Sequence, residues 1–225
     1  MRTRSFVAIA LLGSLVSGCA TAQGAGPAEP LPNLSDLKES IVDYHDSGRW
    51  DADIARATER GRQYLAHRLR QGVDKPAIVL DIDETSLSTY GYEVDRDFGY
   101  DKASFDEYVL SRQPTAIEAT RDLVRFADSH GVAVFFVTGR REDPAMRAAT
   151  EQDLREEGYP EHDALYLRPA DDADESVVPY KSGARADIER QGYRIVLNIG
   201  DQDSDLDGGH AERAVKLPNP MYEVD

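Results

Sequence analysis

Carboxylates occur in two short segments of this sequence, each directly after an apolar run. The first segment holds Asp81 and Asp83, and the second holds Asp201 and Asp205. Side chains alternate along an extended strand, so Asp81 and Asp83 point to the same side. Charged groups at the end of a buried strand are costly unless something pairs with them, and carboxylate oxygens are ligands that Mg²⁺ prefers. Taken alone, either segment could also be a helix cap or an acidic turn.

Two further segments could contact an anion. Thr138 and Gly139 follow the apolar run 132–137 and offer a hydroxyl and a backbone N–H near a helix N-terminus. Lys181 stands just ahead of a predicted helix and would add a positive charge. Each signal is weak by itself, because Thr-Gly after a strand is often a turn and a single lysine is usually exposed.

Apolar runs of strand length alternate with amphipathic stretches from residue 76 onward. Because the runs are continuously apolar, we expect strands buried on both faces, as in a parallel sheet covered by helices. The predicted strands are 77–80, 132–137, 164–167, 195–199 and 214–217, and the helices between them are 116–129, 144–157 and 182–191. Two further helices are predicted before the first strand, over 35–46 with Ser35 as its N-cap and over 51–71. The pattern predicts a doubly wound α/β domain.

Residues 86–115 interrupt this alternation. The segment is rich in aromatic residues, and Ser104 followed by Glu107 could cap a short helix within it. An insertion directly after the first strand lies at the carboxyl edge of the sheet, where ligands bind in open α/β folds. We therefore expect a lid, whose aromatic rings either stack on a substrate or, for most of them, form the lid's own core. The aromatic residues are Tyr90, Tyr92, Phe98, Tyr100, Phe105 and Tyr108.

The N-terminus has the composition of a bacterial export signal. Residues 1–18 combine Arg2 and Arg4 with a short apolar run and small residues before Cys19. Cys19 is the only cysteine and stands where a lipobox requires it, although an ordinary signal peptide with an incidental cysteine is the alternative. We expect cleavage before Cys19, lipidation of Cys19, a flexible tether over 19–33 and one folded domain over 34–225. The protein would then be extracytoplasmic and membrane-anchored, at the outer membrane if the source is Gram-negative.

The bulk composition excludes several classes of protein. With 42 acidic against 26 basic residues in 225, the surface repels polyanions, so nucleic-acid polymers are not expected partners. A single cysteine cannot form an intramolecular disulfide, and the five histidines show no zinc-ligand spacing.

Taken together, the four segments resemble the motifs of the haloacid dehalogenase (HAD) superfamily, namely DxDxT, Thr, Lys and GDxxxD. The strings DIDET, FFVTGRRE, YKSGAR and KLPNPMY narrow the resemblance to acid phosphatases of subfamily IIIB, which include bacterial lipoprotein (class C) acid phosphatases and plant vegetative storage proteins. The resemblance covers about residues 35–225. It implies a Rossmann-like fold with five parallel strands in the order 5-4-1-2-3 and a small α-helical cap.

The resemblance also implies roles for the acids. Asp81 would attack phosphorus and form an aspartyl-phosphate, and Asp83 would serve as general acid and base. Mg²⁺ would be held by Asp81, Asp201, Asp205 and the backbone carbonyl of Asp83, with Asp205 contributing through water or from an outer position.

Phosphate contacts follow from the same resemblance. Lys181, Thr138 and Gly139 would position the phosphate oxygens, and Thr85 would accompany Asp81. Arg140 and Arg185 are weaker candidates, expected as surface salt-bridge partners.

The implied function is Mg²⁺-dependent hydrolysis of small phosphomonoesters such as nucleotides, with an acidic optimum. Two alternatives remain at this point. One is a HAD phosphotransferase, which shares the aspartyl-phosphate; the other is a non-catalytic lipoprotein that binds a phosphorylated ligand.

Overall fold

The computed structural model describes residues 31–173 and 175–224, and the folded unit begins at Asn33. Its elements, in chain order, are α1 (Leu34–Asp46), α2 (Arg49–Arg70), β1 (Pro76–Leu80), β2 (Leu87–Ser88), α3 (Tyr90–Asp95), α4 (Lys102–Leu110), β3 (Thr115–Ala116), α5 (Glu118–Ser129), β4 (Ala133–Arg141), α6 (Pro144–Glu156), β5 (Ala164–Arg168), α7 (Val178–Arg190), β6 (Arg194–Gly200), α8 (Asp203–Leu206) and β7 (Arg213–Lys216). The predicted α/β class is confirmed.

Five of these strands form one parallel sheet in the order β5-β4-β1-β6-β7. Counted in chain order within the sheet, this is 3-2-1-4-5, which is the predicted 5-4-1-2-3 read from the other edge. The first strand lies at the centre, with β4 on one side and β6 on the other. The topology therefore brings the carboxyl ends of β1, β4 and β6 side by side.

The sheet is buried on both faces, as its continuous apolar strands predict. Ile78 and Leu80 of β1 join the core that α2 and α5 contribute to, whereas Ala77 and Val79 face the opposite core with Ile188 of α7. This alternation fixes the register of β1 and leaves the residue after it at the edge of the sheet.

Several helix boundaries differ from the prediction. Asn33, not Ser35, caps α1, because its side chain accepts the Ser35 N–H at 2.9 Å. Helix α7 begins at Val178, so Lys181 lies inside the helix rather than ahead of it. The reason is that Pro179 sits in the first turn, where its missing N–H costs nothing.

The insert over 86–115 is a small helical cap on a two-stranded base. Strands β2 and β3 pair antiparallel, Leu87 with Ala116 and Ser88 with Thr115, and hold the two ends of the insert together. The predicted Ser104 cap is wrong. Asp101 caps α4 instead and accepts the Ser104 N–H at 2.9 Å.

The predicted signal peptide, Cys19 and most of the tether lie outside the described residues. Within the ranges that are described, no helix combines the length and the apolar character needed to cross a bilayer.

Candidate active site

Three buried carboxylates meet where β1 and β6 end. Oxygens of Asp81, Asp201 and Asp205 all lie within 4.8 Å of one another. The backbone fixes this approach, because the Asp81 N–H donates to the Ile199 carbonyl at 3.0 Å. Gly200 is required beside them: a Cβ at this position would lie 2.3 Å from Cβ of Asp205.

Lys181 supplies a positive charge to this cluster. Its Nζ is 2.8 Å from Oδ1 of Asp81 and also donates to Oδ1 of Asp205, and the lysine is buried. Burial acts to lower the pKa of Lys181, but Asp81 and Asp205 outweigh it and raise the pKa, so the ammonium stays charged. Burial, and then the Asp205 charge, raise the pKa of Asp81 well above its ordinary value. Three carboxylates and one ammonium leave the cluster with a net negative charge, which suits a divalent cation.

Asp201 is oriented by donors from three parts of the chain. Its carboxylate accepts the Thr85 hydroxyl at 2.8 Å, Nε2 of Gln202 at 2.6 Å and Nδ2 of Asn219 at 2.9 Å. Burial and Asp205 raise the pKa of Asp201 to about 6, against the effect of these hydrogen bonds. The structure thus places the Thr85 hydroxyl on Asp201, in a fully buried position outside the cavity wall.

Asp83 lies outside this carboxylate cluster and is held by Arg140. Nη2 of Arg140 is 2.6 Å from Oδ1 of Asp83, and Nε is 3.0 Å from Oδ2, so the contact is bidentate. Arg140 is not the surface residue we expected: it is 5% exposed and also donates to Thr150 at 2.9 Å. Burial acts to lower the pKa of Arg140, but Asp83 outweighs it and raises the pKa.

Thr138 and Gly139 lie at the end of β4, beside Asp83. Thr138 is fully buried, and its hydroxyl accepts the Arg140 N–H at 3.2 Å. Gly139 forms part of the cavity wall. Thr138 and Arg140 are two residues apart on β4, and Asp81 and Asp83 are two residues apart directly after β1. This repeated spacing is the sequence signal that could have identified Arg140.

The carboxylates open into a cavity of about 500 Å³ between the sheet edge and the insert. Its floor holds Asp81, Asp83, Lys181, Asp201 and Asp205, and its opposite wall comes from Glu93, Phe98, Tyr100 and Phe105. A groove of about 630 Å³ between α2 and the segment 216–220 is larger but contains none of the clustered acids. The chemistry therefore belongs to the smaller cavity.

The sequence model of one protein family, the HAD superfamily, subfamily IIIB (acid phosphatase), matches residues 20–225 of this chain. The chain belongs to this family. It is therefore a phosphomonoesterase of the acid phosphatase class, as the motifs predicted.

Individual relatives agree with this assignment. The chain is 33% identical to "Acid phosphatase 1" of Solanum lycopersicum over 189 residues, 82% of this chain and 73% of the relative. It is 30% identical to a "Stem 31 kDa glycoprotein" of Glycine max over 216 residues, which cover 92% of this chain and 84% of the relative. The class C acid phosphatase from Bacillus anthracis has the same fold, with a TM-score of 0.70 at 24% identity over 84% of this chain and 86% of that one.

This subfamily IIIB site contains positioning residues that the sequence reasoning missed. Arg185 is fully buried and donates to backbone carbonyls, at 2.6 Å to Asp205 and 2.8 Å to Gly209, so it fixes the loop that carries Asp205. The expected surface role of Arg185 is wrong. The sequence could not indicate these contacts, because every residue has a backbone carbonyl and no residue type marks the ones that Arg185 binds.

Glu84 is a second missed residue. It is fully buried with φ +51°, and its carboxylate accepts the Thr89 N–H at 2.6 Å and the Tyr222 hydroxyl at 2.7 Å. Burial and Asp83 raise the pKa of Glu84 to about 8. Glu84 thereby ties the turn after β1 to the C-terminal segment.

The aromatic residues of the cap divide between two roles. Tyr92 is buried and contacts Phe105 edge-on, with ring centroids 5.3 Å apart, and Tyr108 at 5.7 Å. These contacts form the cap's core, as expected. Phe98 and Tyr100 line the cavity instead, and Phe105 takes part in both.

Proposed function

We propose that this phosphomonoesterase acts through a phosphorylated Asp81 and uses Mg²⁺. The observation that supports this is the position of Asp81: a buried carboxylate on the cavity floor, in contact with Lys181 and within 4.8 Å of two further acids. A carboxylate so placed can reach a phosphorus atom in the cavity, and Lys181 can neutralise the oxygens of a phosphoryl group.

The cation would be held by Asp81, Asp201 and Asp205, with the Asp83 carbonyl as a further ligand. Their net charge with Lys181 is −2, which a divalent ion balances. When bound, the ion would withdraw electrons from a phosphoryl oxygen and offset the negative charge of the substrate. The donors from Thr85 and Asn219 would keep Asp201 in its ligating orientation.

The reaction would take two displacements. In the first, an Asp81 oxygen bonds to phosphorus, the ester P–O bond breaks, and Asp83 donates a proton to the departing oxygen. In the second, Asp83 takes a proton from water, the water oxygen bonds to phosphorus, and Asp81 leaves as a free carboxylate. Lys181 and Gly139, which line the cavity, would position the remaining oxygens, and the buried Thr138 would orient the segment that carries Gly139.

A p-nitrophenyl phosphate assay tests this proposal. We expect turnover to stop in EDTA and to return with Mg²⁺. Asp81→Asn should reduce turnover to background and abolish a hydroxylamine-sensitive phosphoenzyme, whereas Asp128→Asn, on the exposed face of α5, should retain both. Full turnover by Asp81→Asn would refute the nucleophile. Formation of glycerol phosphate in the presence of glycerol would instead favour phosphotransfer.

We also propose that the enzyme is extracytoplasmic and lipid-anchored through Cys19. The support is the sequence of residues 1–19 alone. Cys19→Ser should move the protein from the membrane fraction to the soluble fraction, and an unchanged distribution would refute the anchor.

A further inference from the structure

Glu93, on α3 of the cap, is a buried carboxylate that the proposed mechanism does not use. The residue is 4% exposed and lines the catalytic cavity. No hydrogen bond or ion pair joins its carboxylate to any residue within 31–173 or 175–224. A carboxylate that lines the cavity and has no partner among these residues can accept one that enters the cavity from outside.

The surroundings of Glu93 indicate which part of a substrate it would meet. Burial and the neighbouring charge of Asp83 raise the pKa of Glu93 to about 7. Asp83 is the acid that serves the departing oxygen, so Glu93 lies on the side of the leaving group. The lysine of the cap, Lys102, is already paired with Asp106 at 2.5 Å.

Aromatic residues of the cap also line the cavity. Phe98, Tyr100 and Phe105 line the same wall as Glu93. An aromatic face attracts a desolvated cation, and a charge-assisted hydrogen bond to a carboxylate is among the strongest that a side chain makes. Both features favour a positively charged nitrogen.

We propose that Glu93 is a specificity-determining residue that selects phosphomonoesters whose leaving group carries an ammonium group. The inference rests on the proposed function, because it concerns the leaving group of that reaction. An uncharged leaving group would fill the same space and leave the carboxylate unpaired, and a site of this kind discriminates against such a substrate.

Matched substrates test the inference. The series would be ω-aminoalkyl phosphates with two to six carbons, each compared with the n-alkyl phosphate in which a methyl group replaces the ammonium. We expect kcat/KM for the best amino ester to exceed that of its partner by about tenfold or more. All esters are compared at a pH above the pKa of Glu93, about 7, where the carboxylate is ionised. Glu93→Gln, which keeps the shape and removes the charge, should then bring this ratio close to one. Glu107→Gln makes the same change on the exposed side of the cap and should keep the ratio.

Each result has a defined meaning. Equal kcat/KM within every pair for the wild type would overturn the inference, with turnover of p-nitrophenyl phosphate showing that the proposed function survives. A ratio unchanged in Glu93→Gln would overturn the role of this residue. Absence of turnover with every ester would overturn the proposed function and the inference with it. If Glu93→Gln does not fold, the wild-type ratio alone decides.

Discussion

Replacement of Lys181 by Met tests whether a single ammonium holds the carboxylate cluster together. The side chain is buried against Asp81 and Asp205, and Met fills a similar volume without charge. The variant therefore leaves two neighbouring carboxylates facing each other in a site with little water. Their repulsion should act on both stability and turnover.

The distance sets the size of the effect. At 2.8 Å and an effective dielectric constant of about 20, the attraction between Lys181 and Asp81 is about 6 kcal/mol. Desolvation of the charges offsets part of this, and breaking a buried ion pair costs about 3–5 kcal/mol. We expect the free energy of unfolding in EDTA to fall by about 3–5 kcal/mol, and kcat to fall by about 10²–10³-fold. Saturating Mg²⁺ should narrow the stability gap, because the ammonium no longer competes with the cation.

Urea unfolding in EDTA and in Mg²⁺, with steady-state kinetics, measures these quantities. Lys38→Met provides the matched control, because Lys38 pairs with the exposed Asp97 at 2.6 Å and such surface pairs contribute about 0–1 kcal/mol. If Lys181→Met in EDTA loses no more stability than Lys38→Met, Lys181 does not hold the cluster and the electrostatic reasoning fails.

Three other changes give distinct readouts. Asn219→Ala removes a donor from Asp201 and should raise the Mg²⁺ concentration for half-maximal activity about 10–100-fold; an unchanged Mg²⁺ titration would contradict this. Arg140→Lys loses the bidentate contact with Asp83 and should reduce kcat/KM more for alkyl phosphates than for p-nitrophenyl phosphate, whose leaving group needs no proton; equal losses would contradict a role through Asp83. The pKa of Glu84 is raised to about 8 in the folded state, so the folded protein binds more protons and the contribution of Glu84 to stability falls as pH rises from about 4.5 to about 8. Thermal unfolding in EDTA across this range should show the decline in the wild type, and Glu84→Gln should make it shallower by the share of Glu84; an equally steep decline in the variant would contradict this.

The sequence was sufficient to predict the sheet and the position of its acids. Continuous apolar runs mark strands buried on both faces, and the residue that follows such a strand must lie at the edge of the sheet. Asp81 and Asp201 could therefore both be assigned to that edge, and the resemblance to the family, which implies the strand order, placed them side by side. The same reasoning predicted a cap after β1, because residues 86–115 lack an apolar strand.

Other features depend on contacts that periodicity does not encode. Arg140 is buried because it pairs with Asp83. The alternation of side chains along β4 indicates which face of the sheet Arg140 lies on, but it does not indicate its partner. Arg185 binds backbone carbonyls, which no residue type signals. Lys181 lies inside α7, not ahead of it, because the helix begins at Val178 and proline is favoured in a first turn.

Asn219 and Glu84 were missed for a related reason. Their partners are Asp201 and Tyr222, and the Glu84–Tyr222 contact spans 138 residues of sequence. Contacts of this range are a property of the folded chain, and a search of one sequence for local motifs does not detect them.

The segment 219–224 has a practical consequence for anyone who handles this enzyme. It reaches back to the catalytic loop: the Val224 N–H donates to Gln202 at 2.9 Å, and its carbonyl accepts the Ser204 hydroxyl at 2.6 Å. Proteolytic trimming to Pro218 would therefore disable the phosphatase while leaving the five-stranded sheet untouched. Because Val224 also lines the cavity, an affinity tag close behind this segment needs a long spacer.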